Sequence, residues 1–134
     1  GAGAAGGLGG AFLALGGSIG PGFDRIASEI RLADAIADAD LVITGEGSID
    51  WQSAYGKVPA GVAHLAKNAG VTVVGLAGRV GYPLGQMDEL LDGVFAIHSE
   101  PVTLAEALDP ERTRKGIQRT AREVAQLVSK VITN

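Results

Sequence analysis

Glu46, Asp50 and Lys57 fall within the short stretch GEGSIDWQSAYGK, together with Ser48, Gln52 and Ser53. A carboxylate beside a substrate hydroxyl can take its proton, or can hold Mg²⁺ through water, and an ammonium can neutralise a phosphate or a carboxylate. These are the tasks that phosphoryl transfer sets its acidic and basic residues. Lys57 stands just before a helix that opens near Pro59, where the macrodipole already carries partial positive charge. An anion held there by Lys57 and free amides near residues 60–62 would relieve that repulsion. Each residue also has a plain reading. Asp50 can cap its own turn, Lys57 can point into water, and Trp51 and Tyr55 can wall a site or pack beneath the segment. Ser48, Gln52 and Ser53 are suited to orienting a polyol or acid.

The elements that would hold this stretch are read from periodicity. DLVIT gives a short, β-branched strand at 41–44, covered on both faces and followed by a loop at 45–57. Pro59 suits a first helical turn. Val58, Val62, Leu65, Ala66 and Ala69 mark the buried face, and Gly70 ends the helix. A second strand spans 71–76, so that a right-handed βαβ unit is the expected connection. Beyond it lie a second glycine-rich loop at 77–86, a short helix at 87–91, a strand at 94–97 and helical turns at 103–108. Asp109 and Pro110 then open a long helix with Ile117, Ala121, Val124, Ala125, Val128 and Val131 on one face and its basic residues on others. Upstream, a helix is expected at 8–15. A second helical stripe runs from Phe23 to Ala37, interrupted near Leu32, with Asp34, Asp38 and Asp40 as solvated or capping groups. Loops beyond the carboxyl ends of parallel strands are where open α/β sheets bind ligands.

Other chemistries fit poorly. Gly56-Lys57 lacks both the following Ser/Thr and the leading glycine of a P-loop, whose place Trp51 takes. GAGAAG matches G-x-G-x-x-G, but no strand precedes it within the chain. Close helix packing through small residues, or a loop for a phosphate or carboxylate, remain as its other readings. A G-x-S-x-G elbow is missing. His64 reads as exposed, His98 follows a strand end near the site, and no metal-binding spacing joins them. A net charge of −4 argues against nucleic acid, and the sequence has no cysteine, so disulfides and thiolate metal sites are excluded. No apolar run approaches bilayer length, and with 46% hydrophobic and 19% charged residues a folded domain is expected over 1–134. No membrane partner and a cytoplasmic location are the accompanying expectations.

GAGAAGGLGGAFLAL, DLVITGEGSIDWQSAYGKVPAGVAHLAK and GLAGRVG together resemble the carboxyl-side portion of the type I glycerate kinases, over nearly the whole chain. The middle motif is the specific one. The resemblance implies a transferase: a kinase that moves the γ-phosphoryl of ATP, with Mg²⁺, to a hydroxyl of D-glycerate, built from two α/β domains around a cleft. Fold expectations follow as a three-layer α/β/α arrangement, Rossmann-like, with a mainly parallel sheet. Matched to the family's motifs, Gly6, Gly7 and Gly9 fall in its early loop, and Gly45, Glu46, Gly47, Asp50, Gln52, Gly56 and Lys57 in its central one. Asp50 is assigned to substrate or base duty, Glu46 to a metal-linked or orienting role and Lys57 to the anion. Ser48 and Ser53 join the glycines and Gln52 as substrate-binding candidates. The chain opens inside a glycine-rich stretch without an initiating Met, which suggests a fragment of a larger two-domain enzyme that is inactive alone. The competing readings are a non-catalytic α/β module that binds a small anionic metabolite, and a segment that self-associates as a homo-oligomer.

Overall fold

In the computed structural model, which describes residues 2–132, the apolar run after Asp40 forms strand β1 (Leu41–Ile49). It pairs in parallel with β2 (Thr72–Val80), which pairs in parallel with β3 (Gly93–Ala96), giving a three-stranded sheet in the order β1-β2-β3. The helices are α1 (Ala4–Ala14), α2 (Gly22–Glu29), α3 (Leu32–Ala37), α4 (Val58–Ala69), α5 (Met87–Leu90), α6 (Leu104–Ala107) and α7 (Pro110–Ile132). The fold is α/β, a parallel sheet flanked by helices, and β1-α4-β2 is its central unit. Among the described residues no helix is long and apolar enough to cross a membrane.

Both strands run past their expected ends. Residues 45–49 and 77–80 have no apolar run to mark them as strand, yet Glu46 pairs with Ala77, Ser48 with Arg79 and Ile49 with Val80. Glycine makes the pairing possible. A Cβ on Gly45 would lie 2.7 Å from the Leu76 carbonyl oxygen, and one on Gly78 would lie 2.8 Å from that of Gly47. Only residues without a side chain let the two backbones approach so closely. The first half of the expected loop is therefore strand, and the irregular connection is confined to residues 50–57.

The main core lies between the sheet and α4. Pro59, Ala60, Val62, Ala63 and Ala66 bury one helix face against Val42, Ile49, Val73 and Ala77, with Ile36, Leu84, Met87 and Leu91 closing the edges. Four small side chains at this contact bring helix and sheet close together. Pro59 occupies the first turn, and Gly70 ends the helix in the left-handed conformation with φ 70°. The α2 helix lays Phe23 across Gly61, whose missing side chain leaves room for the ring.

On the other side α7 rests against β1 and β2. Its buried residues are Gly116, Thr120 and Val124, spaced one turn apart. The expected stripe is corrected here: Val124 is buried, but Ile117 is 45% and Val131 72% exposed. Gly116 is the reason. A Cβ there would sit 2.6 Å from the Ile97 carbonyl oxygen, so the helix docks through its smallest residue and turns its bulkier ones outward. By contrast α1 has no extended packing against another element among the described residues, and Leu8, Phe12 and Leu13 on it are exposed.

Asp92 fastens the entry to β3. Its backbone N–H donates to the Val73 carbonyl, its carboxylate accepts from the Val73 N–H at 2.8 Å, and Lys67 supplies an ion pair. The Lys67 hydrogen bond, followed by that from Val73, holds its pKa below the ordinary 3.8. A carboxyl whose pKa is lower folded than unfolded adds stability above the unfolded value and loses it as pH falls through the folded one. Asp92→Asn should therefore lower stability at pH 7 by about 1 kcal/mol, since half-exposure screens the pair. The difference from wild type should shrink as pH drops below 3.8, which urea unfolding across that range checks.

Candidate functional site

At the carboxyl end of β1, strand alternation turns Glu46 and Ser48 toward the face that α4 covers. The Glu46 carboxylate is gripped at both oxygens. Oε1 lies 3.3 Å from the Lys57 ammonium, and Oε2 accepts a 3.1 Å hydrogen bond from the Ser53 hydroxyl. Ser53 is fully buried, and its oxygen in turn accepts the Asp50 N–H at 3.3 Å. Asp50 opens a 3-10 turn, Trp51–Ala54, and its Oδ1 accepts the Gln52 N–H at 3.0 Å. The two residues cap one another, which fixes the path of the chain from strand to helix. Lys57 follows as the residue before α4, in extended conformation, after Gly56 at φ 79°.

The structure thus brings Glu46, Ser48, Asp50, Ser53 and Lys57 to one strand end, with Gly45 and Gly47 forming the strand floor. Two expectations are refined by it. The anion beside Lys57 is Glu46 of the same chain. The amides available at the start of α4 are also fewer: Gly61 N–H bonds the Lys57 carbonyl, Val62 lies inside the helix and Pro59 has no N–H, so Val58 and Ala60 remain. Asp50 does serve its turn as a cap, accepting the Gln52 N–H through Oδ1. Trp51 and Tyr55 do not pack beneath the segment. They meet edge to face at 6.0 Å on the surface, both exposed, with Trp51 against Gly85.

Arg79 was not singled out by sequence reasoning and belongs here. Its guanidinium donates to Ser48 Oγ at 3.3 Å, and it shares the space over Gly81 with the Asp50 side chain. The signal was its place in a glycine-rich stretch after a strand, AGRVG, though the strand pairing that brings it beside Ser48 is not a sequence feature. Gly6, Gly7 and Gly9 lie in α1, where Gly6 and Gly7 have φ 68° and 92° and interrupt the helix. Since α1 has no extended packing on β1 or α4 among the described residues, they are not brought to the Glu46 cluster within these residues.

No group of three or more His, Cys, Asp or Glu side chains that could hold a metal occurs among the described residues. With Glu46 engaged by Lys57 and Ser53, the donor set suits a cation that takes one carboxylate and gets its other ligands from phosphate and water, as Mg²⁺ does.

Comparison with known proteins gives one consistent result. The model of the glycerate kinase family matches residues 1–129. The chain is 42% identical to a glycerate kinase of Bacillus cereus over 127 residues, covering 93% of this chain and 33% of that protein. It is 44% identical to glycerate 2-kinase of Escherichia coli over 109 residues, covering 80% of this chain and 29% of the relative. A crystal structure of a protein assigned as glycerate kinase 2 from Salmonella typhimurium superposes with a TM-score of 0.68 at 39% identity, over 97% of this chain and 32% of that one. The chain spans about a third of the length of the relatives it matches.

Proposed function

The chain belongs to the glycerate kinase family, and we propose that it supplies one wall of a site that transfers the γ-phosphoryl of ATP to a hydroxyl of D-glycerate. In this reading it is one α/β domain of a larger two-domain kinase, in which other parts of the protein complete the cleft. The observation that supports it is the Lys57–Glu46–Ser53 arrangement at the end of β1. The pair is 38% and 29% exposed, so the ammonium is pre-positioned yet reachable by a phosphate that would replace Glu46 as its partner.

In the proposed step the hydroxyl oxygen of glycerate forms a bond to the γ-phosphorus, the bond from that phosphorus to the bridging oxygen breaks, and ADP leaves with the electron pair. The hydroxyl proton passes to Asp50. Lys57, with the Val58 and Ala60 amides, offsets charge on the transferred group, and Glu46 holds Lys57 in place until the phosphate arrives. Gly45, Gly47 and Gly56 give the substrate close access to backbone, while Ser48, Gln52 and Ser53 orient it. Arg79 is placed for the glycerate carboxylate. Gly6, Gly7 and Gly9 of α1 remain substrate-binding candidates in the proposal, to be brought to the cleft by other parts of the protein. Mg²⁺ bound with ATP would neutralise phosphate charge, and Glu46 or Asp50 is the carboxylate of this chain that would hold it, directly or through water.

The test is phosphate transfer from Mg-ATP to D-glycerate by the protein carrying this chain, with the product hydroxyl identified by phosphorus NMR. The name of the Escherichia coli relative makes the 2-hydroxyl the expected acceptor. Lys57→Met should lower kcat/KM by about a hundredfold. Turnover that is indifferent to Lys57 would remove the residue from the site, and binding of glycerate without turnover would favour a non-catalytic module.

A further inference from the structure

A surface cavity lies on the opposite face of the sheet from the Glu46 cluster. It measures about 370 Å³ and is lined by Ile97, His98 and Ser99 at the exit of β3 and by Arg112, Lys115, Gly116 and Arg119 on α7. Its lining contains three basic side chains, a histidine and a hydroxyl, and not one carboxylate. His98 Nε2 is shielded from solvent and has no hydrogen-bond partner. A buried ring nitrogen left unbonded is unfavourable, and a small shift of the ring toward a ligand in the cavity would remove that penalty.

From this geometry we infer that the cavity binds the phosphate group of a small organic anion, at a subsite separate from the Glu46 cluster. The docking of α7 builds it. Because Gly116 lets the Ile97 carbonyl approach closely, Arg112, Lys115 and Arg119, spaced along nearly two helical turns, stand around the end of β3. Arg119 is anchored by a 3.1 Å hydrogen bond from Nη2 to the Ile97 carbonyl, which orients the rest of the guanidinium.

The cations do have partners. Arg112 contacts Glu100 at 2.8 Å and Glu106 at 3.7 Å, Lys115 contacts Glu111 at 3.5 Å, and Arg119 contacts Glu123 at 3.7 Å. All four acids are exposed residues outside the cavity lining, and such surface pairs contribute little, so exchanging them for a phosphate is inexpensive. Phosphate is favoured over a lone carboxylate because two guanidiniums and an ammonium provide more donors than one carboxylate can accept. The cavity volume exceeds that of inorganic phosphate and leaves space for a short organic portion. Gly78 places His98 near the tip of the sheet: a Cβ on it would lie 4.0 Å from His98 Nε2 and 2.8 Å from the Gly47 oxygen.

The test is a titration of the protein that carries this chain with inorganic phosphate, followed by the ring and amide NMR signals of His98, Ser99 and Gly116. Saturable shifts at these positions, with a dissociation constant of roughly millimolar, are expected. Lys115→Gln removes an exposed side chain that the fold does not need and should weaken binding about tenfold, as should Arg119→Gln. Lys57→Met should leave the affinity at His98 unchanged. Shifts confined to Lys57, Val58 and Ala60 would overturn this inference while leaving the kinase proposal standing. So would shifts at His98 that Lys115→Gln leaves intact. Parallel titrations with ATP and with 2-phosphoglycerate separate a nucleotide phosphate from a three-carbon phosphate as the natural occupant.

Discussion

Asp50→Asn in the protein that carries this chain should lower kcat for glycerate phosphorylation by about 10²–10⁴-fold, with the melting temperature almost unchanged. The combination matters because the two roles of Asp50 predict different outcomes. As a cap, Asp50 accepts the Gln52 N–H through Oδ1 and offers its own N–H to Ser53. Asparagine caps about as well as aspartate and retains both bonds, so the 3-10 turn, Ser53 and the Glu46–Lys57 pair should survive. What asparagine cannot do is accept a proton. A variant with intact stability and lost turnover would therefore place Asp50 at the hydroxyl of the substrate. If turnover instead persists within a few-fold, Asp50 is only the residue that starts the turn, and the base must come from elsewhere in the protein. Asp50→Ala is less informative, since it removes the cap and the carboxylate together. It should cost about 1 kcal/mol of stability in addition to activity.

How far the sequence discloses this site depends on whether the signal is local. The β1-α4-β2 unit is legible because its signals are: β-branched runs, Pro59 inside the helix start, Gly70 just past its end, and Asp109-Pro110 before α7. The continuation of β1 through Gly45–Ile49 is not, because GEGSI has the glycine content of a loop and is made strand by a partner some thirty residues on. That pairing also brings Arg79 to Ser48, and it turns Glu46 toward Lys57, so the ion pair at the centre of the site is tertiary in origin. The buried face of α7 departs from its hydrophobic stripe for a related reason. Hydrophobic periodicity favoured Ile117 and Val131, but the close approach of Ile97 to Gly116 decided the docking, and a periodicity count gives glycine no weight. The positions of Gly6, Gly7 and Gly9 relative to the cluster are of the same kind, since motif similarity groups them with it while the packing of these residues does not.

Ile49→Ala should be the most destabilising single change near the site, lowering unfolding free energy by about 2–5 kcal/mol. Ile49 is fully buried at the end of β1, immediately before Asp50, and its carbonyl accepts the Gly81 N–H at 2.8 Å. Its side chain belongs to the α4 core, and the space it uses exists because position 75 has no side chain. A Cβ on Gly75 would lie 2.9 Å from both Ile49 Cδ1 and Leu91 Cδ1. That geometry makes a stronger prediction than the single variant. Gly75→Ala alone should be destabilising by overpacking, by about 1–3 kcal/mol. In the double variant the new methyl enters the cavity left by Ile49, so the combined loss should fall short of the sum by at least about 1 kcal/mol, well beyond the scatter of independent sites. Urea unfolding of the four proteins measures the coupling directly. Additive losses would mean that β1 shifts to close the cavity. In that case Asp50 should move with the strand, and turnover in Ile49→Ala should fall out of proportion to its stability.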